Sequence, residues 1–213
     1  MLKLYGYWRS SAAYRLRIAL NLKGLSYEQV SVNIAPSASE QKQASFKALN
    51  PQMRVPALET EKGLLTQSMA ILEWLEETYP DVSILPEGSF DRAQCRAFSD
   101  LIACDVHPLN NLSVLMALRN DLGADDAQVN HWYADWIIRG FTALEAGIGD
   151  PKGGFLYGNA PSLAEICLVP QIYNARRYKV DLSAFPKLIE LDEACNSLEA
   201  FKKAAPEAQP DAA

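Results

Sequence analysis

The chain has 213 residues, enough for one large domain or two small ones. Hydrophobic residues make up 49% and charged residues 22%, the balance of a soluble globular protein, and a net charge of −6 argues against nucleic acid as a partner. No apolar run reaches the ~18 residues of a membrane span, and Met1-Leu2-Lys3 leads straight into a strand without a signal-peptide pattern, so no membrane is expected.

Leu2 to Tyr5 is a short apolar strand bounded by Gly6. A helix follows over roughly Ser11 to Lys23, with Ala12, Ala13, Leu16, Ile18, Ala19, Leu20 and Leu22 on its apolar face and Gly24 at the place of a left-handed stop. Tyr27 to Asn33 alternates and forms a second strand; strand–helix–strand spacing makes the two strands parallel. Ser39 to Leu49 can form a second helix, ended by Asn50-Pro51. Val55 to Glu59, a turn at Glu61-Lys62-Gly63 and Leu64 to Thr66 read as a hairpin. Gln67-Ser68 then opens an amphipathic helix that Pro80 stops.

The order β-α-β-α-β-β-α over residues 1–80 matches a thioredoxin-like domain. In that topology a proline entering the third strand is often cis, leaving the preceding backbone free to pair with an extended ligand; Pro56 is the candidate, although trans is the commoner isomer. Residues 81–87 form a polar linker, and 88–213 read as an all-helical domain. Its elements are Phe90 to Asn120, one helix or two with a bend near His107-Pro108; Val129 to Gly147; a break at Gly153-Gly154; a helix after the capping box Ser162 to Glu165, which Pro170 kinks or ends; and a last helix from Phe185-Pro186 to about Lys203. The tail from Pro206 reads as loose.

Where the first strand turns into the first helix, Ser10 and Ser11 meet the free N–H groups and the positive end of the dipole. Such a place holds an anion or lowers the pKa of a thiol, and equally one of the serines can serve only as a cap. No cysteine lies between Tyr7 and Arg15, so a thiolate bound there comes with a ligand. Cys95, Cys104, Cys167 and Cys195 sit in helix-like apolar contexts, read as buried free thiols in a reducing cytoplasm. With two histidines and no Cys-x-x-Cys spacing, the chain carries no metal-site pattern.

Several motifs together carry a resemblance. They are Arg9-Ser10-Ser11-x-x-Tyr14-Arg15-x-Arg17-Ile18-Ala19-Leu20, Ala48-Leu49-Asn50-Pro51 with Val55-Pro56, and Gln67-Ser68-x-Ala70-Ile71 with Glu73-Trp74-Leu75. His107-Pro108-Leu109-Asn110-Asn111-Leu112-Ser113, Leu168-Val169-Pro170-Gln171 and Asn174-Ala175-x-Arg177-Tyr178 complete the set, which spans nearly the whole chain. It resembles the zeta class of glutathione transferases, the maleylacetoacetate and maleylpyruvate isomerases. The resemblance implies a thioredoxin-like glutathione-binding domain, an all-helical substrate domain and a cytoplasmic homodimer. Its substrate would be a keto-dicarboxylate and its cofactor glutathione, whose thiolate adds to the conjugated double bond, permits rotation and leaves.

Carried over residue by residue, the resemblance makes Ser10 the hydroxyl that donates to the sulfur, with Ser11 as alternative or helper. Gln67 and Ser68 would hold the γ-glutamyl carboxylate, Val55 before Pro56 the cysteinyl part, and Arg15, Gln41, His107, Asn111, Leu112 and Ser113 would make further contacts. Arg15 could equally lock domains together, and His107 could be a helix-end residue bonded to a carbonyl. Arg9 and Arg177 are the implied carboxylate clamps, their planar fork suiting a carboxylate, while Arg176 is a solvated or salt-bridged neighbour. Two departures bear on activity. Ala12 stands where many members carry cysteine, and Ser113 stands where maleylpyruvate specialists can carry arginine, which tilts the reading toward maleylacetoacetate. A general glutathione transferase and a non-catalytic scaffold of the same fold remain as other readings.

Overall fold

Alternating apolar residues and one small residue fix the start of the fold. In the computed structural model, which describes residues 1–149 and 154–212, β1 (Leu2–Gly6) buries Leu2, Leu4 and Gly6 on one face. A Cβ on Gly6 would come within 3.2 Å of the Ala13 Cβ, so a glycine here lets α1 (Ser11–Leu22) lie against the strand end. Gly24 at φ +66° follows the Lys23 cap of α1, the left-handed stop its position predicts.

β2 (Tyr27–Ser31) runs parallel to β1, pairing Leu2 with Tyr27 and Gly6 with Ser31. After a 3₁₀ turn at Glu40–Lys42 and the short α2 (Ala44–Leu49), β3 (Ala57–Thr60) runs antiparallel to β1 and to β4 (Gly63–Thr66). The sheet order is β2-β1-β3-β4, and α3 (Ser68–Thr78) packs on α1. Leu4, Leu16, Ile18, Leu20, Leu58, Ile71 and Leu72 are all buried at this core. Truncating any one to alanine costs about 2–5 kcal/mol. The expected β-α-β-α-β-β-α order is therefore the observed one, with the second helix shortened because its first turn is 3₁₀.

The later helices differ more from expectation. The expected Phe90 to Asn120 helix is α4 (Ser89–Asp100), a π turn over Leu101–Val106, a 3₁₀ turn over His107–Asn110 and α5 (Leu112–Asn120). Its break falls at Asn111, whose side chain caps α5. By length and composition alone Ser89–Asn120 could cross a membrane, since an 18-residue window within it reaches a mean hydropathy of 1.3. No uninterrupted apolar run of that length occurs in it, because Asp105, His107, Asn110 and Asn111 punctuate the stretch. Cys104 lies on this stretch, within the π turn, and is exposed, not buried as expected; Cys95, Cys167 and Cys195 are buried, and none of the four is in a disulfide among the described residues.

α6 (Asp126–Gly147) opens with a capping box from Asp125 and Gln128. The Gly153 half of the expected Gly153-Gly154 break lies outside the described residues. α7 (Leu163–Arg177) has the predicted capping box of Ser162 and Glu165; Pro170 sits inside it without ending it, and Leu163 to Ile172 are all buried. The last expected helix is two, α8 (Pro186–Asn196) and α9 (Glu199–Ala204), separated near Leu198.

By contacts the chain divides into two compact units, one of Met1–Ile84 with the stretch from Asn196 onward and one of Leu85–Cys195. The expected domain of 88–213 is corrected accordingly: α9 packs on α1 and belongs with the sheet, because Asn21 Nδ2 donates to Ala200 O at 2.9 Å and Arg17 Nε to Ala204 O at 2.9 Å. The tail is not loose. A 3₁₀ turn at Pro206–Ala208 follows α9, and Gln209 is buried, its Nε2 donating to Lys203 O (2.9 Å) and Ala205 O (2.7 Å).

Candidate active site

Strand register assembles most of the predicted residues of the first unit. Tyr5 pairs with Ala57 and Ala57 with Thr66, so the end of β1, the start of β3 and the end of β4 share one end of the sheet. The Ser10 loop leaves from there, Val55-Pro56 enters there and Gln67-Ser68 departs from there. Among the two isomers left open, the Val55-Pro56 bond is cis.

Ser10 is the N-cap of α1, with extended φ −70° and ψ 117°, and its Oγ accepts from Ala13 N at 3.3 Å. That bond uses an oxygen lone pair and leaves the hydroxyl proton to donate elsewhere. Capping and donation to an anion are therefore compatible at one residue. Ser11, the first helical residue, is buried. Arg9 lies over the Trp8 ring at 4.8 Å, and its Nη2 donates to Tyr7 Oη at 3.4 Å. Its Nε is buried and has no partner among the described residues.

Arg15 is only 2% exposed. Its Nη1 donates to Ser68 Oγ at 3.3 Å, while Nε and Nη2 have no partner among the described residues. A buried guanidinium with two unmatched donors is costly unless an anion completes it. Ser68 opens α3, where the free N–H groups add to the same attraction. Before it, Gln67 holds φ +69°, a left-handed conformation strained for a side chain of this kind, and its Nε2 donates to Gln52 Oε1 at 2.9 Å. Gln41 is buried on the 3₁₀ turn with an unpartnered Oε1. These orphaned donors and acceptors fit a ligand that is anionic at one end and amide-bearing along its length.

The remaining candidates lie in the second unit. His107 starts the 3₁₀ turn, half-buried. α6 braces that turn: Trp132 Nε1 donates to Leu109 O at 2.9 Å, and Asn110 Nδ2 to Tyr133 O at 3.1 Å. Asn111 spends its side chain locally, with Oδ1 accepting from Ser113 N (2.9 Å) and Val114 N (3.2 Å) and Nδ2 donating to Pro108 O (2.7 Å). Leu112 and Ser113 form the first turn of α5, with Ser113 exposed. Arg177 ends α7 with its guanidinium carbon 4.9 Å from the Tyr178 ring centroid. Tyr178 stacks on Tyr133, centroids 3.6 Å apart. Burial pushes the Tyr133 phenol far up, and the Arg177 charge and hydrogen bond pull against it. Arg176 is salt-bridged, as one of its two readings has it, with Nη1 2.5 Å from Asp192 Oδ2.

Sequence reasoning missed three residues here. Tyr133 reads as ordinary core, Gln52 as loop and Asp211 as tail; only spatial pairing reveals them.

Comparison with known proteins agrees with this architecture. The glutathione S-transferase N-terminal domain family matches residues 1–77. A maleylpyruvate isomerase of Ralstonia sp is 49% identical over 214 residues, covering 100% of both chains. The holo structure of a bacterial maleylpyruvate isomerase, a zeta-class glutathione transferase, superposes with TM-score 0.95 at 47% identity, covering 99% of this chain and 100% of that one. A maleylacetoacetate isomerase of Methylobacterium extorquens AM1, solved with malonate and glutathione bound, superposes with TM-score 0.93 at 38% identity, covering 99% of both chains. With likeness of that depth running end to end, this chain belongs to the zeta class of glutathione transferases, the family of maleylpyruvate and maleylacetoacetate isomerases.

Proposed function

We propose that this protein is a glutathione-dependent cis–trans isomerase acting on maleylacetoacetate. The observation that carries the reading is the buried Arg15 guanidinium, bonded to Ser68 and otherwise unmatched, beside the turn that presents Ser10. Glutathione, when bound, supplies the sulfur nucleophile that makes the conjugated double bond of the substrate temporarily single.

The protein's part is to hold and orient. Arg15, Ser68 and the N–H groups opening α3 take the carboxylate of the γ-glutamyl end, and Gln67 is the strained residue that aims that helix start. The Val55 backbone before Pro56 pairs with the cysteinyl part, and Gln41 offers an unused amide oxygen. The Ser10 hydroxyl donates to sulfur at the positive end of α1, which favours thiolate over thiol. Ser11 supports that turn from the first helical position. Arg9 in the first unit and Arg177 in the second, each leaning on an aromatic ring, are taken separately as carboxylate-binding residues. Within the second unit, His107, Leu112 and Ser113 are proposed ligand contacts, and the Asn111 side chain is the cap of the helix that carries Leu112 and Ser113.

Maleylpyruvate is the second substrate reading, favoured by the Ralstonia relative, whereas Ser113 in place of an arginine favours maleylacetoacetate. Assaying both keto acids with glutathione and comparing kcat/KM tests the choice. A specificity constant for maleylpyruvate above that for maleylacetoacetate reverses it, and activity on neither, with no glutathione retention, rejects the enzyme reading.

A homodimer and a cytoplasmic setting belong to the same proposal. The exposed Phe90 and Leu122 are apolar surface of the kind a partner covers, and four cysteines without a disulfide among the described residues suit a reducing compartment. Light scattering of the purified protein tests the first, and fractionation of cells the second.

A further inference from the structure

We propose that Asp211, close to the C-terminus, is a positioning residue for the turn that presents Ser10. Its carboxylate accepts three hydrogen bonds within the first unit. Oδ2 takes Trp8 N (3.1 Å) and Ser31 Oγ (2.9 Å), and Oδ1 takes Gln29 Nε2 (3.2 Å). Gln29 and Ser31 belong to the edge strand β2, and Trp8 stands two residues before Ser10. One tail residue thus ties a sheet edge to the catalytic turn.

The other side of the same peptide is held by the same C-terminal segment through an intermediary. Arg17, only 1% exposed, donates Nε to Ala204 O (2.9 Å), Nη2 to Trp8 O (2.9 Å) and Nη1 to Tyr7 O (3.5 Å). Tyr7 O also accepts Ser10 N at 2.9 Å, closing the turn. The N–H of Trp8 is therefore fixed by Asp211, its C=O by Arg17 seated on α9, and the next residues carry Arg9 and the Ser10 hydroxyl. Gln209, buried and bonded to two α9-end carbonyls, sets where the chain re-emerges and so where Asp211 can reach.

The role is geometric and not one of charge. A carboxylate near a thiolate disfavours it, so an electrostatic role would oppose the activity. Positioning alone is strong enough, since a misplacement of the order of 1 Å at a reacting group can lower rates by about 100-fold.

This inference rests on Ser10 being the hydroxyl that stabilises the glutathione thiolate. Its test is an ultraviolet titration of the thiol of glutathione bound to the full-length enzyme, with kcat and KM measured alongside. In Asp211→Ala the bound thiol pKa rises by about one unit, equivalent to roughly tenfold less thiolate below that pKa. kcat falls roughly tenfold, KM for the keto acid stays within about twofold, and the unfolding midpoint stays near that of the parent. Asp211→Asn recovers to within about threefold, because its oxygen still takes Trp8 N–H and its amide donates to a turned Gln29. Ser31→Ala, which removes one of the three bonds, shifts the pKa in the same direction by less. An unchanged thiol pKa and kcat in Asp211→Ala overturn the inference, as does an Asp211→Asn variant as impaired as Asp211→Ala. Ser10→Ala is the control. If it raises the thiol pKa while Asp211→Ala does not, only this inference fails; if it leaves the pKa unmoved, the Ser10 reading fails and this one with it.

Discussion

Arg15 and Ser68, 53 residues apart in sequence, meet at 3.3 Å between Nη1 and Oγ, and this is the one hydrogen bond of the Arg15 guanidinium among the described residues. The pairing joins the middle of α1 to the first residue of α3 at the end of the sheet where β1, β3 and β4 converge. Among the described residues it leaves a buried positive charge without an acidic partner, a state that destabilises the ligand-free fold and strengthens binding of an anion.

Arg15→Met separates those two effects. Glutathione affinity falls about 10- to 100-fold, as expected for losing hydrogen bonds to a charged group, while the unfolding midpoint of the ligand-free protein rises. Calorimetric titration and thermal melts read the two. A midpoint that falls together with affinity shows that the guanidinium is structural.

Ser10→Ala lowers turnover roughly tenfold to a thousandfold, the range for removing one preorganised donor. The helix loses a cap at the same position, costing about 1 kcal/mol, so melting is measured beside kcat. Turnover near that of the parent in the folded variant rejects the thiolate assignment.

Arg177→Ala raises KM for the keto-dicarboxylate tenfold or more, on the order expected for a lost charge-assisted pair. Tyr133→Phe removes the phenol bonded to that guanidinium and keeps the stacked ring, so it raises KM by a smaller factor. Initial rates over a range of substrate concentrations test both. Unchanged KM in Arg177→Ala ends the clamp idea.

Acid stability should depend on Glu76. Burial alone would raise its pKa, but the Ser83 hydroxyl, the Ile84 N–H and the Lys23 ammonium together hold it below its ordinary 4.5. A carboxyl depressed on folding stabilises fully above its unfolded value, and that contribution drains away as pH falls through the folded value. Denaturant midpoints should therefore fall between about pH 5 and pH 3 in the parent and stay flatter in Glu76→Gln. At neutral pH Glu76→Ala leaves Lys23 buried without its partner at 3.1 Å, a loss of about 3–5 kcal/mol. Parallel pH profiles for parent and Glu76→Gln would refute this account.

Legibility from sequence followed the range of the interactions. The strand–helix order of residues 1–80 is written in local periodicity, and the Ser162–Glu165 box is a signal spanning four residues, so both were readable. The Ser10 cap was readable for the same reason. The break at Asn111 was displaced from the obvious His107-Pro108, because proline is tolerated in the first turn of a 3₁₀ segment while Asn111 itself begins the next helix. Pro170 did not end α7, whose burial on all sides outweighs one missing N–H. The tail misled most: Pro-Asp-Ala-Ala has no periodicity, and its partners lie 180 and more residues away.

The last point bears on how the protein comes into being. Trp8 donates its N–H to a residue synthesised 203 positions later. On the ribosome the sheet and α1 can form early, yet the turn carrying Ser10 stays without that tether until Asp211 has been made and has emerged. A nascent chain arrested short of Asp211 would thus present the domain's shape with its working corner still unfastened.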